Sequence, residues 1–156
     1  MWRMRYRRMV RVQAEAIGVI FGQDRNALRQ MYADAWRKHC DGHSLTPLQA
    51  QIAQVVADHP EYHAAISGDL ERDFNVEGGT TNPFLHMGLH LGIREQVSTN
   101  RPAGIAAVFR ALAAANGDAH AAEHRMIDCL AETLWEAQSG NQAPDEAKYL
   151  QRLRRL

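Results

Sequence analysis

Eight histidines lie in this chain, and they form four pairs spaced four residues apart: His39/His43, His59/His63, His86/His90 and His120/His124. At this composition chance supplies roughly 0.4 such pairs. On a helix, residues four apart share a face, so two neutral imidazoles one turn apart present a bidentate half-site for a metal ion. The four pairs differ in setting. Gly42 interrupts the first, which reads as a solvated turn. Pro60 separates His59 from His63, so these two do not share a continuous face; His59 reads as a cap for a new helix and His63 lies a turn into it.

The remaining pairs fall inside apolar helical stretches. His86 and His90 belong to NPFLHMGLHLGIREQV, which is apolar almost all round, the mark of a central helix. Asn82 and Pro83 supply a cap and a first-turn proline for it. Gly88 and Gly92 each lower helix propensity by ~1 kcal/mol relative to alanine, which predicts close approach of another backbone there. His120 and His124 share a face with Ile127, Ala131, Leu134 and Trp135, with Asp128 at its edge. The expected centre therefore has His86 and His90 facing His120 and His124, Asp128 as a further ligand and His63 as a fifth contact. Imidazole-rich ligation suits a transition metal, with zinc and iron the first candidates and nickel and copper behind them.

Two other readings of the same residues compete. His120-Ala121-Ala122-Glu123-His124 is an HxxEH pattern, in which Glu123 would be general base to a metal-bound water in a small hydrolase. The pattern is short, and only 32 residues follow it. Alternatively, the histidines line the groove of a non-catalytic protein-interaction module whose partner the sequence does not name.

The elements that must position these residues are all helical. Leu28, Met31, Tyr32, Ala35 and Trp36 form a stripe from a cap at Asp24 to Cys40. Thr46-Pro47-Leu48-Gln49 spells a capping box ahead of Leu48, Ile52, Val55 and Val56. A short helix follows from Glu61 to Ser67, then a loop over 73–81. Beyond the 82–98 helix, Pro102 opens a helix burying Ile105, Val108, Phe109 and Leu112. Asp118 caps a long one closed by Gly140, and Pro144-Asp145-Glu146 begins a short last one. No strand-type alternation appears. The expectation is an all-α bundle of about six helices with the 82–98 helix central. Trp36 and Trp135 are both expected inside, with Trp135→Ala costing ~3–5 kcal/mol.

The chain of 156 residues is 46% apolar, enough for one domain with a real core. Net charge is zero but uneven. Residues 1–19 hold five arginines and one acid, leaving 13 basic and 17 acidic residues, a net −4, in the rest. That balance argues against nucleic acid as a partner. Residues 1–19 read as a basic extension outside a domain over 20–156. No stretch reaches the ~18 apolar residues needed for a membrane span, and the N-terminus lacks the core of a signal peptide. Two cysteines without CxxC spacing fit free thiols in the cytoplasm. Nothing here fixes oligomeric state, and a homodimer fits as well as a monomer.

HPEYH (59–63), GGTTNPFLHMGLHLGIREQ (78–96) and EHRMIDCLAETLWEAQ (123–138) resemble a bacterial family, domain of unknown function family 1841. AWRKH (35–39) and TPLQA (46–50) are similar to it too, so the likeness covers roughly 20–153. Members often start with methionine and phenylalanine where this chain has Ile20-Phe21, which implies a domain start there. The resemblance makes His63, His86, His90, His120, His124, Glu61, Glu95 and Glu132 motif positions. It implies no activity. Glu95 projects ~180° from His86 on an ideal helix, outside any shared site.

Overall fold

Capping chemistry sets most of the helix starts. The computed structural model describes residues 25–72 and 82–156, and the regular structure among them is helical. The predicted cap at Asp24, the extension 1–19 and the loop 73–81 lie outside the described residues. Helix α1 (Arg25–Cys40) ends where Gly42 takes a left-handed φ of 70°. There the amide of His43 donates to the Lys38 carbonyl at 2.9 Å and that of Gly42 to His39 at 3.2 Å, which satisfies end carbonyls. Helix α2 (Pro47–Ala57) carries the expected capping box: Thr46 Oγ1 accepts from the Gln49 amide at 3.2 Å, and Gln49 Oε1 accepts from the Thr46 amide at 3.0 Å. Pro60 then breaks the chain direction. Instead of one helix over 61–67 there is a 3-10 turn, Pro60–Tyr62, followed by α3 (His63–Ser67).

Helix α4 (Pro83–Thr99) starts on Asn82, whose Oδ1 accepts from the amides of Phe84 and Leu85 at 3.1 and 3.3 Å. Helix α5 (Ile105–Asn116) starts three residues later than Pro102 suggested. The side chain of Asn100 accounts for this: its Oδ1 accepts from the amides of Gly104 and Ala106, so the first-turn donors are met from outside the helix. Asp118 caps α6 (Ala119–Ser139) at the amides of His120 and Ala121. Asp145 caps α7 (Glu146–Arg154), whose last turn holds Arg152 and Arg154 at the negative end of the helix dipole.

The described residues fall into two units, one ending at Leu91 and one beginning at Gly92. In the first, Tyr32, Ile52, Val55, Val56, Phe84 and Met87 form the core, with Tyr32 and Phe84 edge to face at 5.7 Å. A fully buried side chain such as Ile52 contributes ~1.5–3 kcal/mol. Trp36 is half-buried against this core rather than inside it. Arg29 is buried and donates to the carbonyls of Leu70 and Arg72, both at 2.7 Å, with its guanidinium 5.0 Å from the centre of Phe84. Among the described residues, the close backbone approach expected at Gly88 is not found: a Cβ built there meets the Tyr32 hydroxyl at 4.0 Å, an ordinary contact.

In the second unit, Ile93, Ile105, Leu112, Met126, Leu130 and Leu153 are buried, while Val108 and Phe109 are only half-buried. Helix α6 presents a different face from the predicted one. Glu123, Met126, Leu130, Thr133 and Ala137 are inside, and Trp135 is 67% exposed. The expected burial of Trp135 is therefore wrong. A carboxylate lies on the buried stripe because Arg94 neutralises it, and the aromatic ring faces solvent. Among the described residues, no helix is long and apolar enough to cross a membrane.

Candidate metal centre

Pro60 brings His59 inside. The residue before a proline is pushed out of the helical region by the ring, and His59 has φ −127° and ψ 66°. Its side chain makes no cap hydrogen bond, contrary to the expected role. It turns instead into the first unit and is fully buried. There Nδ1 lies 2.7 Å from the carbonyl oxygen of Val55. A carbonyl only accepts, so Nδ1 carries the proton and Nε2 of the neutral ring presents its lone pair.

That Nε2 lies 3.1 Å from Nε2 of His90, also fully buried. His90 Nε2 is in turn 3.2 Å from Nε2 of His86, one turn earlier on α4. The rings meet edge to face, with centres 4.5 Å apart for His59 and His90 and 4.8 Å apart for His86 and His90. Three ring nitrogens thus converge at His90. A hydrogen bond needs one proton between two nitrogens. With Nδ1 of His59 donating and all three rings neutral, the single Nε2 site of His90 cannot donate fully to both neighbours. A cation shared by the lone pairs has no such conflict. Two nitrogens bound at ~2.0–2.1 Å are about 3.3 Å apart on a tetrahedral ion and about 2.9 Å apart at right angles. The separations here lie between those values.

Tyr62 closes one side. Its ring stacks on His59 at 5.5 Å and meets the His86 edge at 5.8 Å. Burial, and secondarily the charge of Glu61, raises its hydroxyl above the ordinary tyrosine range, so it stays neutral. His63 faces elsewhere. Its Nε2 is 2.9 Å from the Val56 carbonyl, and its ring lies 4.4 Å from Trp36, which stacks at 5.3 Å on His39. His59 and His63 therefore serve neighbouring carbonyls at the end of α2. His39 and His43 are both exposed, in agreement with a solvated turn.

In the second unit, His120 and His124 are half-buried on α6 with ring centres 4.3 Å apart. Between them Glu123 is buried and bound by Arg94: Nε donates to Oε1 and Oε2 at 3.0 and 3.2 Å, and Nη2 to Oε2 at 3.1 Å. Both oxygens of the HxxEH glutamate thus serve an ion pair. Asp128 is exposed on the same helix. Cys129 is buried, and burial first, then Glu132 and Asp128, pushes its thiol up, which keeps it from acting as a thiolate ligand at neutral pH.

Of the residues predicted from sequence, the first unit joins His86 to His90, and the second joins His120 to His124. His59 was missed as a donor. The signal for it was Pro60, which breaks the helical path that the four-residue spacing assumes.

The family model described as "Domain of unknown function (DUF1841)" matches residues 24–155. No curated protein and no solved structure matches.

Proposed function

The chain belongs to this family, domain of unknown function DUF1841, and for this member we propose that it binds one transition-metal ion through histidine nitrogens. His59, His86 and His90, all in the first unit, are the proposed donors. His63 and Asp128 fall outside this set, since the Val56 carbonyl faces His63 Nε2 and Asp128 is exposed. The convergence of three Nε2 atoms at the buried His90 carries the reading.

An all-imidazole set suits zinc, iron, copper or nickel over calcium or magnesium, which prefer oxygen. The Val55 carbonyl supports it by fixing the His59 tautomer, as partners of the outer ring nitrogen do in metal sites generally. A hydrolase using Glu123 as base is less well supported, because Arg94 occupies both carboxylate oxygens. No reaction is assigned.

Thermal melting with and without a chelator tests the proposal. A ligand at a hundredfold excess over its Kd stabilises by about 2.7 kcal/mol. In a chain this size that is a shift of ~5–10 °C. Chelation at pH 7.5 is expected to lower Tm by that order. Metal-bound imidazoles must be unprotonated, so acid competes with the ion and the difference shrinks toward pH 5. Identical curves at pH 7.5, with removal of metal verified, contradict the proposal.

A further inference from the structure

His59 and His90 have no exposed surface, whereas His86, at almost the same distance from His90 Nε2, is half-buried. The three also differ in how the backbone holds them. His59 is pinned through Nδ1 to Val55, and His90 lies in the middle of α4. His86 is in the first turn, where its amide bonds the Asn82 carbonyl and the preceding Leu85 is 48% exposed. First turns fray more readily than helix interiors. From this asymmetry we infer that His86 is an exchangeable ligand. It closes one coordination position of the ion and leaves it to admit a small exogenous donor such as water or an anion.

The exchange is a simple substitution. The bond between the metal and His86 Nε2 would break, the ring would leave as a neutral imidazole with its lone pair, and the incoming donor would supply the new electron pair. The inference rests on the metal proposal above and gives that site a ligand class: small monodentate donors.

The test uses the full chain loaded with Co2+, whose visible absorption reports coordination, and azide as the added ligand. The unsubstituted chain must first release His86, and that step weakens its apparent azide affinity by the fraction of molecules open. His86→Ala removes the step. It is expected to retain Co2+ under conditions in which His90→Ala loses it, and to respond at about tenfold lower azide concentration, if about a tenth of molecules are open at rest. His86→Gln serves as the second variant should the alanine chain fail to fold. Loss of Co2+ from His86→Ala as complete as from His90→Ala overturns the inference, because His86 would then be a fixed ligand. An azide response unchanged by the substitution overturns it too, because His86 would not be on the ion. Failure of the unsubstituted chain to bind Co2+ overturns the metal proposal itself, and is told apart by occurring before any substitution.

Discussion

Among the described residues, the buried polar side chains of the second unit are Gln96, Glu123 and Thr133, and each meets a complementary group. Tyr149 donates to Gln96 at 2.8 Å, Arg94 grips Glu123, and Thr133 donates to the Cys129 carbonyl at 2.8 Å while accepting from Arg152. In the first unit Arg29 is handled the same way, by two carbonyls. His59 shares this handling at Nδ1, which donates to the Val55 carbonyl, while at its other ring nitrogen, Nε2, it faces a like atom, Nε2 of His90. Complementary pairs complete themselves and report on folding. Like atoms held together in a core require a third participant, and for lone pairs that participant is a proton or a metal.

The sharpest way to break this contrast is His90→Ala. It removes the atom on which both other nitrogens converge. Changing even an outer partner of a metal ligand costs 10–100-fold in affinity, so loss of this ligand is expected to weaken metal binding by more than about 100-fold in a competition titration. An affinity unchanged within experimental scatter means the nitrogens meet for structural reasons alone.

Glu123→Gln tests the other side. It leaves Arg94 facing a neutral amide, and breaking a buried ion pair costs ~3–5 kcal/mol. Arg94 retains 27% of its side-chain exposure, which places the expected loss near ~3 kcal/mol in urea unfolding of the metal-free protein. Metal bound per folded chain should stay the same. If metal binding vanishes while stability holds, Glu123 belongs to the centre and the hydrolase reading revives. Tyr149→Phe is a smaller change of the same kind. It removes one buried hydrogen bond and strands Gln96 Oε1, for an expected loss of ~1–2 kcal/mol. Trp135→Ala is the smallest. With the ring exposed, the loss should stay within the ±0.5 kcal/mol typical of a surface site. A loss of several kcal/mol would show that a partner or a second copy covers that face.

Local chemistry made the helix starts legible. Thr46, Asn82 and Asp118 act within three residues of themselves, so their roles survive whatever the chain does elsewhere. The facing of α6 was less legible. Periodicity placed Trp135 inside on the apolar face it shares with Ile127, Ala131 and Leu134, whereas the buried stripe is settled by Arg94 reaching Glu123 from another helix, 29 residues away. His59 was hidden for a similar reason. Spacing four apart implies a shared face only on an unbroken helix, and Pro60 reverses that inference by turning His59 inward while His63 turns to Trp36. For Pro102 the local rule also failed, because Asn100 had already supplied the acceptors that start α5.

The central claim is that the nitrogens around His90 share a metal ion. Elemental analysis of protein purified without an affinity tag or added metal, repeated after reconstitution, tests it most directly. The account predicts about one equivalent of a transition metal per folded chain, retained through gel filtration at neutral pH. A content well below one equivalent that does not rise on reconstitution contradicts it.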